Sequence, residues 1–324
     1  MSIIEVKNRI KAVKNIGQIT KAMEVVAATK MRKSQEVALR SRPYAFKALQ
    51  LLSVLAKHAT VRTDLMKPRP IKKTLLIIVT SDRGLAGSFN SQVFRLADKF
   101  LKAYENEEVR PQISKEVEPQ GISHKLQVIA VGKKAISYAG KKKLDLVDSF
   151  HGFGDFVEPE ETSLLADKLI AGFLSKDWDR VITISTHFRS TLKQEVLMRQ
   201  VLPVDLNKVE ETIAEIIPES GLFSELATSV KHRMSNKVID YIFEPSPKEL
   251  IESLVDHLVR MQVYHLVLEA NASEHSARMV AMKTASDNAK ELSEKLNLEY
   301  NKARQAQITR EIIEIVSGSG SVQI

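Results

Sequence analysis

The stretch SPKELIESLVDHL, residues 246–258, decides the architecture because it begins a very long helix. Ser246 is placed to cap the helix, Pro247 occupies the first helical position, and Glu249 reaches back from the third. From Lys248 to Ser317 the chain has neither proline nor glycine, and Gly318 and Gly320 end the segment. At 1.5 Å per residue, such a helix is about 105 Å long.

Apolar side chains recur along this segment at steps of three and four, which places them on one side of the helix. The expected stripe is Leu250, Leu254, Leu258, Met261, Leu268, Met279, Met282, Ala289, Leu292 and Leu296. His257 and His265 are expected on its partly exposed flank. The spacing is typical of a coiled-coil seam, which needs a second helix.

The N-terminal residues 1–42 supply that second helix, since they contain a single glycine and no proline. Pro43 is expected to end or kink this helix, which then continues to about residue 60. Its expected stripe is Ile3, Val6, Ile10, Val13, Ile16, Ile19, Met23 and Val26. The three-residue step from Val13 to Ile16 predicts a shift of phase along the seam.

The middle block, about 70–240, has a different pattern. Strands are predicted at 74–80, 126–131 and 181–186, with helices near 90–104 and 160–175 between them. This alternation favours a parallel sheet covered on both faces. Two stretches, 104–123 and 205–225, are rich in Glu, Pro and Ser and are predicted to be surface excursions.

A block of about 170 residues has a radius of gyration of roughly 15–16 Å, so it is too small to cover a helix of 105 Å. The N-terminal helix is the remaining partner within the chain. The predicted fold class is therefore α/β, an antiparallel coiled coil of the terminal helices plus a central Rossmann-like α/β domain. The corresponding segments are 1–62, 70–240 and 245–324.

The loop TSDRGLAGSFN, residues 80–90, follows the most hydrophobic run of the chain, Leu75–Val79. A strand, a glycine loop and a helix in succession can bind phosphate. Gly84 and Gly87 are however spaced G-x-x-G, and the chain contains no G-x-x-x-x-G-K-[ST] motif. A tight strand-to-helix turn is the favoured interpretation, although a nucleotide-dependent enzyme stays open as an alternative.

Composition excludes several kinds of chemistry. The chain has no cysteine, which removes disulfides, thiolate catalysis and cysteine zinc sites. Its eight histidines show no metal-ligand spacing. No signal-length apolar core and no run of roughly 18 apolar residues is present, so a protein peripheral to a membrane at most is expected.

The net charge of +8 is concentrated in residues 1–62, which carry thirteen Lys and Arg against three Glu. This basic helix needs an acidic partner or an unusually solvated face. Binding to nucleic acid is one alternative, but no aromatic side chain for base stacking precedes Tyr44. Binding to anionic lipid is another, but the apolar stripe is narrow and rich in alanine. An acidic protein surface fits best.

Three stretches resemble one family, the γ subunits of rotary F-type ATP synthases in their bacterial form. They are IKAVKNIGQITKAMEVVAATKMRKSQ (10–35), the loop TSDRGLAGSFN, and ARMVAMKTASDNAKEL with YNKARQAQITREIIEIVSG (277–292 and 300–318). The resemblance covers most of the chain in order. Ala86 and Ser88 depart from the loop motif, in which cysteine and glycine are frequent.

The resemblance implies a central-stalk rotor with no catalytic residue, cofactor or metal of its own. Its implied partners are three α and three β subunits, the ε subunit and the c-ring, with no nucleic acid. The implied location is peripheral, at the cytoplasmic face of the bacterial inner membrane. The implied contacts to β are Met23, Lys30, Arg32, Lys33, Arg278, Arg304, Gln305, Thr309 and Glu311. The implied family-motif loop residues are Ser81, Asp82, Arg83, Gly84, Gly87 and Asn90.

Overall fold

The computed structural model describes residues 3–58, 63–105, 125–154, 157–191, 193–205 and 246–320. The two predicted excursions, 104–123 and 205–225, lie almost wholly outside these ranges. The helices and strands are α1 (Ile3–His58), β1 (Lys73–Val79), α2 (Phe89–Glu105), β2 (Lys125–Val131), α3 (Lys133–Lys142), β3 (Leu146–Phe150), α4 (Pro159–Leu174), β4 (Arg180–Phe188), β5 (Gln194–Leu202) and α5 (Pro247–Gly320).

The five strands form one sheet in the order β3-β2-β1-β4-β5. Strand β1 lies at the centre and pairs in parallel with β2 and β4, with Ile77 opposite both Ile129 and Thr183. The prediction of a parallel sheet is confirmed for these three strands and is wrong at the other edge, where β4 and β5 are antiparallel. Only five residues connect β4 to β5, which suits a hairpin and is too short for a parallel crossover.

Helices cover both faces of the sheet, as predicted. One face packs against α2 and α3 through side chains such as Val93, Phe100 and Ala135. The other face packs against α4 and the first part of α5, with Leu169, Phe173 and Val259 fully buried. The strand order 3-2-1-4 is that of a doubly wound α/β sheet, which confirms the predicted fold class.

The three predicted strands and the two predicted helices of this domain are confirmed to within two residues at each end. Strands β3 and β5 and helix α3 were not predicted. Strand β3 is short and only half-buried, and β5 mixes pairs of polar residues with apolar runs of two or three and is mostly half-buried at the sheet edge. Helix α3 carries four lysines and a glycine in ten residues. Such weak apolar patterns give little signal in the sequence.

The chain divides into two compact units, residues 1–28 with 278–324, and residues 29–277. In the first unit, Val6, Ile10 and Val13 of α1 share an apolar cluster with Ala289 and Leu296 of α5. A Cβ on Gly17 would lie 3.4 Å from that of Ala289. Leu296, about 10 Å further along α5, packs with residues that precede Gly17. The two helices are therefore antiparallel, as predicted.

The predicted seam is wrong beyond Val13. Ile16, Ile19 and Val26 are exposed, and the seam of α1 continues instead through the half-buried Gly17 and the buried Thr20 and Ala27. The steps of four and three thus run on without a phase shift. On α5, Leu292 is likewise exposed while Ser293 is buried. Small and polar residues take seam positions because they let two helix backbones approach closely.

In the second unit, α5 is buried on all sides over residues 263–270. Val37 of α1 packs against the cluster that contains Tyr264 and Leu268. His265 is buried, contrary to the prediction of a partly exposed flank, whereas His257 is half-buried. Helix α1 is continuous through Pro43 to His58, which confirms the predicted continuation to about residue 60 and rules out an end at Pro43.

The predicted start of α5 is confirmed. The helix begins at Pro247, and the Ser246 Oγ accepts a hydrogen bond from the Glu249 backbone N–H at 3.3 Å. Helix α5 has 74 residues and includes both Gly318 and Gly320.

Candidate functional site

The family-motif loop between β1 and α2 is held by its own side chains. The Ser81 backbone N–H donates to the Asn90 Oδ1 at 3.1 Å, and the Asn90 Nδ2 donates to the Ser81 Oγ at 2.7 Å. The Ser81 hydroxyl donates in turn to the Arg83 carbonyl at 2.7 Å. Ser81 and Asn90 thereby clasp the two ends of the turn.

Asp82 ties this turn to the neighbouring strand ends. One carboxylate oxygen accepts from the Lys133 N–H at the start of α3, and the other accepts from the Gly152 N–H, both at 2.8 Å. A helix N-terminus attracts anions, and here the anion is supplied by the chain itself. The loop is therefore a strand-to-helix turn, and the phosphate-binding alternative loses its geometric basis.

The start of the loop also packs closely against the backbone that follows β2. The Thr80 backbone N–H donates to the Val131 carbonyl at 2.8 Å, and the Thr80 Oγ1 accepts from the Ala135 N–H at 2.8 Å. Gly132 has φ +92°, and a Cβ there would lie 2.2 Å from the Thr80 carbonyl oxygen. Gly87 also has positive φ, whereas Gly84 has open space around it. Arg83 and Gly84 are exposed at the tip of the turn.

The predicted contact residues on α1 are distributed over both compact units. Met23 belongs to the first unit and is half-buried. Lys30, Arg32 and Lys33 belong to the second unit, where Lys30 is half-buried and the other two are exposed. Their assignment as contacts to β stays a prediction.

The predicted contact residues on α5 fall into two groups. Arg278, at the start of the first unit's part of α5, is half-buried. Arg304, Gln305, Thr309 and Glu311 are exposed, as is every residue from 304 to 316. Among these, Ile312 and Ile315 expose 55% and 72% of their surface. Apolar side chains exposed together at a helix end are typical of an interaction surface.

Sequence reasoning missed a second apolar stripe on α1. Ile16 and Ile19 are 54% and 60% exposed, and Val26 is also exposed. These residues lie beside the half-buried Met23 at steps of three and four, on a face next to the buried seam. The signal for it was present, because Val6, Ile10, Val13, Gly17 and Thr20 already form an unbroken seam when small residues are counted.

The described ranges contain no group of three or more His, Asp or Glu side chains arranged to hold a metal ion. Within the same ranges, no helix combines the length and hydropathy needed to cross a bilayer.

The fold and these surfaces define a class of protein: an α/β domain joined to long paired helices that expose apolar side chains. The profile of the family described as ATP synthase matches residues 2–322. The ATP synthase gamma chain of Roseiflexus castenholzii is 37% identical over 98% of this chain and 97% of its own length. That of Geobacter sp. is 36% identical over 98% of each chain. This chain belongs to the ATP synthase gamma chain family, the central-stalk rotor subunits of F-type ATP synthases.

Solved structures agree in fold. In the mitochondrial ATP synthase of Euglena gracilis (OSCP/F1/c-ring), one chain has a TM-score of 0.60 at 20% identity, covering 99% of this chain and 94% of its own. One chain of the Tetrahymena thermophila mitochondrial ATP synthase central stalk and c-ring gives 0.54 at 23% identity, covering 83% and 99%. The architecture is thus maintained at low sequence identity.

Proposed function

We propose that this chain is the torque-transmitting rotor of a bacterial F-type ATP synthase and is itself non-catalytic. ATP chemistry belongs to β subunits, and the paired terminal helices turn within three α and three β subunits. The central domain joins the ε subunit and the c-ring at the cytoplasmic face of the inner membrane. The observation that carries this proposal is the set of apolar side chains exposed on helices already paired through another face.

The mechanism requires an asymmetric shaft. The two helices present different side chains around their circumference, so three chemically identical β subunits make different contacts with them. Each third of a turn changes which β conformation has the most favourable contact energy. A ligand or partner shifts a conformational equilibrium only through such a difference. Rotation and the state of β are coupled for this reason.

The predicted contacts divide into a basic and a polar set. Met23, Lys30, Arg32 and Lys33 on α1 face an acidic loop of β, which supplies the partner that the charge of residues 1–62 requires. Arg304, Gln305, Thr309 and Glu311 on α5 meet the catch loops of β, and Arg278 helps to keep the helices engaged. The stripe Ile16, Ile19 and Val26 extends this surface with apolar contact area.

Co-purification tests the proposal. Mixed with cognate α and β, the chain enters one complex at a ratio of three to three to one. The isolated chain neither binds nor hydrolyses ATP. A chain that hydrolyses ATP alone, or that stays outside the complex, contradicts the rotor assignment.

A matched pair of variants tests the apolar stripe. Replacing Ile16 and Ile19 by Ser leaves the unfolding free energy within about 0.5 kcal/mol, as for surface substitutions, and lowers ion pumping per ATP hydrolysed. Replacing the buried Ile10 and Val13 by Ser instead destabilises the helix pair by several kcal/mol. If the variant with Ser at positions 16 and 19 pumps as many ions per ATP as the wild type, Ile16 and Ile19 are not part of the contact surface.

A further inference from the structure

Helix α5 passes through the second compact unit with eight consecutive residues, 263–270, all buried. A helix buried around its whole circumference has packing partners on every side. Val263, Leu266 and Ala270 pack into the core beneath the sheet. Tyr264, Val267 and Leu268 pack against Val157, with Val37 of α1 and Phe153 beside them. These two sides are apolar.

The third side is polar and ionic. The Glu269 carboxylate lies 2.9 Å from the His187 Nδ1 on β4 and 3.4 Å from an Arg199 guanidinium nitrogen on β5. Glu269 is 6% exposed and His187 is 1% exposed. His265, one helical turn earlier, is buried on the same side of α5. Glu269 thus joins α5 to both strands of the β4–β5 hairpin.

Glu269 stays ionised despite its burial. Removal from water opposes ionisation, but the hydrogen bond to His187 and electrostatic attraction to His187, Arg199 and His265 outweigh it and hold the pKa of Glu269 below its usual value. An ionised carboxylate accepts shorter and stronger hydrogen bonds than a neutral carboxyl group.

A second polar connection lies about 10 Å further along α5. The Ser276 hydroxyl donates to the Thr191 carbonyl at 2.6 Å, and the Gln194 Nε2 donates to the Ser276 Oγ at 3.2 Å. Thr191 lies between β4 and β5, and Gln194 begins β5. The hairpin therefore holds α5 at two points on one side.

We propose that Glu269 is a positioning residue that fixes the rotation of α5 about its own axis relative to the sheet, and thereby passes torque from the central domain to the helix. Apolar packing holds the helix in place but is non-directional, so it resists twisting weakly. A buried charge with two partners on neighbouring strands has one favourable orientation, and losing them leaves it unpaired. This inference rests on the proposed rotor function and assigns one of its steps.

The experiment uses the complete enzyme, with its c-ring, in sealed vesicles. It compares Glu269→Ala, Glu269→Gln and Leu268→Ala by ATP hydrolysis without a gradient and by ion pumping per ATP against a rising gradient. Glu269→Ala is expected to keep the unloaded hydrolysis rate within twofold and to lose at least threefold of its pumping ratio under load. Glu269→Gln, which retains hydrogen-bonding groups of the same size, is expected to be intermediate.

Leu268→Ala is the control for loss of packing alone. Leu268 is fully buried beside Glu269 but contacts the apolar side, so this variant loses thermal stability and keeps its pumping ratio. Equal loss of the ratio in Glu269→Ala and Leu268→Ala would reduce Glu269 to a general stabilising residue and overturn the proposal. A ratio of ions pumped per ATP that does not fall with load in either Glu269 variant would also overturn the proposal.

If Glu269→Ala fails to assemble, Glu269→Gln and Ser276→Ala decide the question by the same load dependence. Wild-type pumping under load in both variants would overturn the proposal. Failure of the rotor function itself is distinguishable, because the wild-type chain would then not enter the complex with α and β at all.

Discussion

The loop at residues 80–90 and the exposed faces of the terminal helices differ in which side-chain groups they bury and which they expose. In the loop, Ser81, Asp82 and Asn90 direct their polar atoms inward to backbone and side-chain partners. On the helices, Ile16, Ile19, Ile312 and Ile315 direct apolar surface outward. The loop satisfies its own hydrogen bonds, whereas the helix faces bury little of their apolar area within the described chain.

This difference indicates which of the two regions can bind a partner. Polar groups that are already paired gain little from a ligand, while exposed apolar area gains from every partner that covers it. We therefore expect the loop to serve the fold and the helices to carry the interactions with partners. Changes in the loop region should act on stability, and changes at the helix ends should act on coupling.

Gly132→Ala is expected to have the largest effect on stability. The positive φ and the 2.2 Å approach to the Thr80 carbonyl oxygen give a loss of about 3 kcal/mol or more in the free energy of unfolding. Denaturant unfolding measures it. Gly140→Ala in α3 is the control, since no atom lies within 4 Å of its added Cβ, and helix propensity should raise stability by up to about 1 kcal/mol. Equal effects would contradict the packing argument.

Glu269→Gln is expected to cost about 2 kcal/mol at neutral pH, the range for hydrogen bonds to charged groups. Because the pKa of Glu269 is lower in the folded than in the unfolded chain, ionised Glu269 stabilises the fold above the unfolded pKa. This contribution disappears as the pH falls through the lowered folded pKa. The difference in unfolding free energy between the variant and the wild type should narrow with acidification, and a constant difference would argue against an ionised carboxylate.

Asp82→Ala is expected to lower the free energy of unfolding by about 1 kcal/mol. The variant removes the carboxylate that accepts from the Lys133 and Gly152 N–H groups, and only water can then replace it. Asp82→Asn, which retains one acceptor oxygen, should lose less. Added phosphate should raise the melting temperature of the Ala variant more than that of the wild type. A phosphate effect on the wild type as large as that on the variant would revive the anion-binding interpretation of the loop.

Removal of residues 304–324 is expected to have the smallest effect on stability, within about 0.5 kcal/mol, because residues 304–316 are all exposed. The same truncation should reduce coupled ATP synthesis. The unfolding transition of the central domain and the pumping ratio of the complex measure the two effects. A central domain that unfolds with the truncation would contradict the division of roles between the two regions.

Much of the fold was predictable from periodicity. Ser246 and Pro247 mark the start of α5, and the runs at β1, β2 and β4 are continuous enough to identify a buried sheet. Strand β5 was missed because pairs of polar residues interrupt its short apolar runs at a sheet edge. Its antiparallel direction follows from a short connection. Of the site, the family-motif loop and the basic helix were found, but the roles of the predicted contact residues stay predictions.

The sequence by itself determined the long helices, the buried strands and the absence of thiol chemistry, because these depend on local spacing and composition. Tertiary structure alone decided which face of α1 is the seam, because the half-buried Gly17 and the buried Thr20 lie on it through close approach of α5 and not through their own hydrophobicity. It also decided that Asp82 fills the anion position and that Glu269 meets His187 and Arg199. These are contacts between residues 51 to 82 positions apart, and local pattern carries no information about such distant pairs.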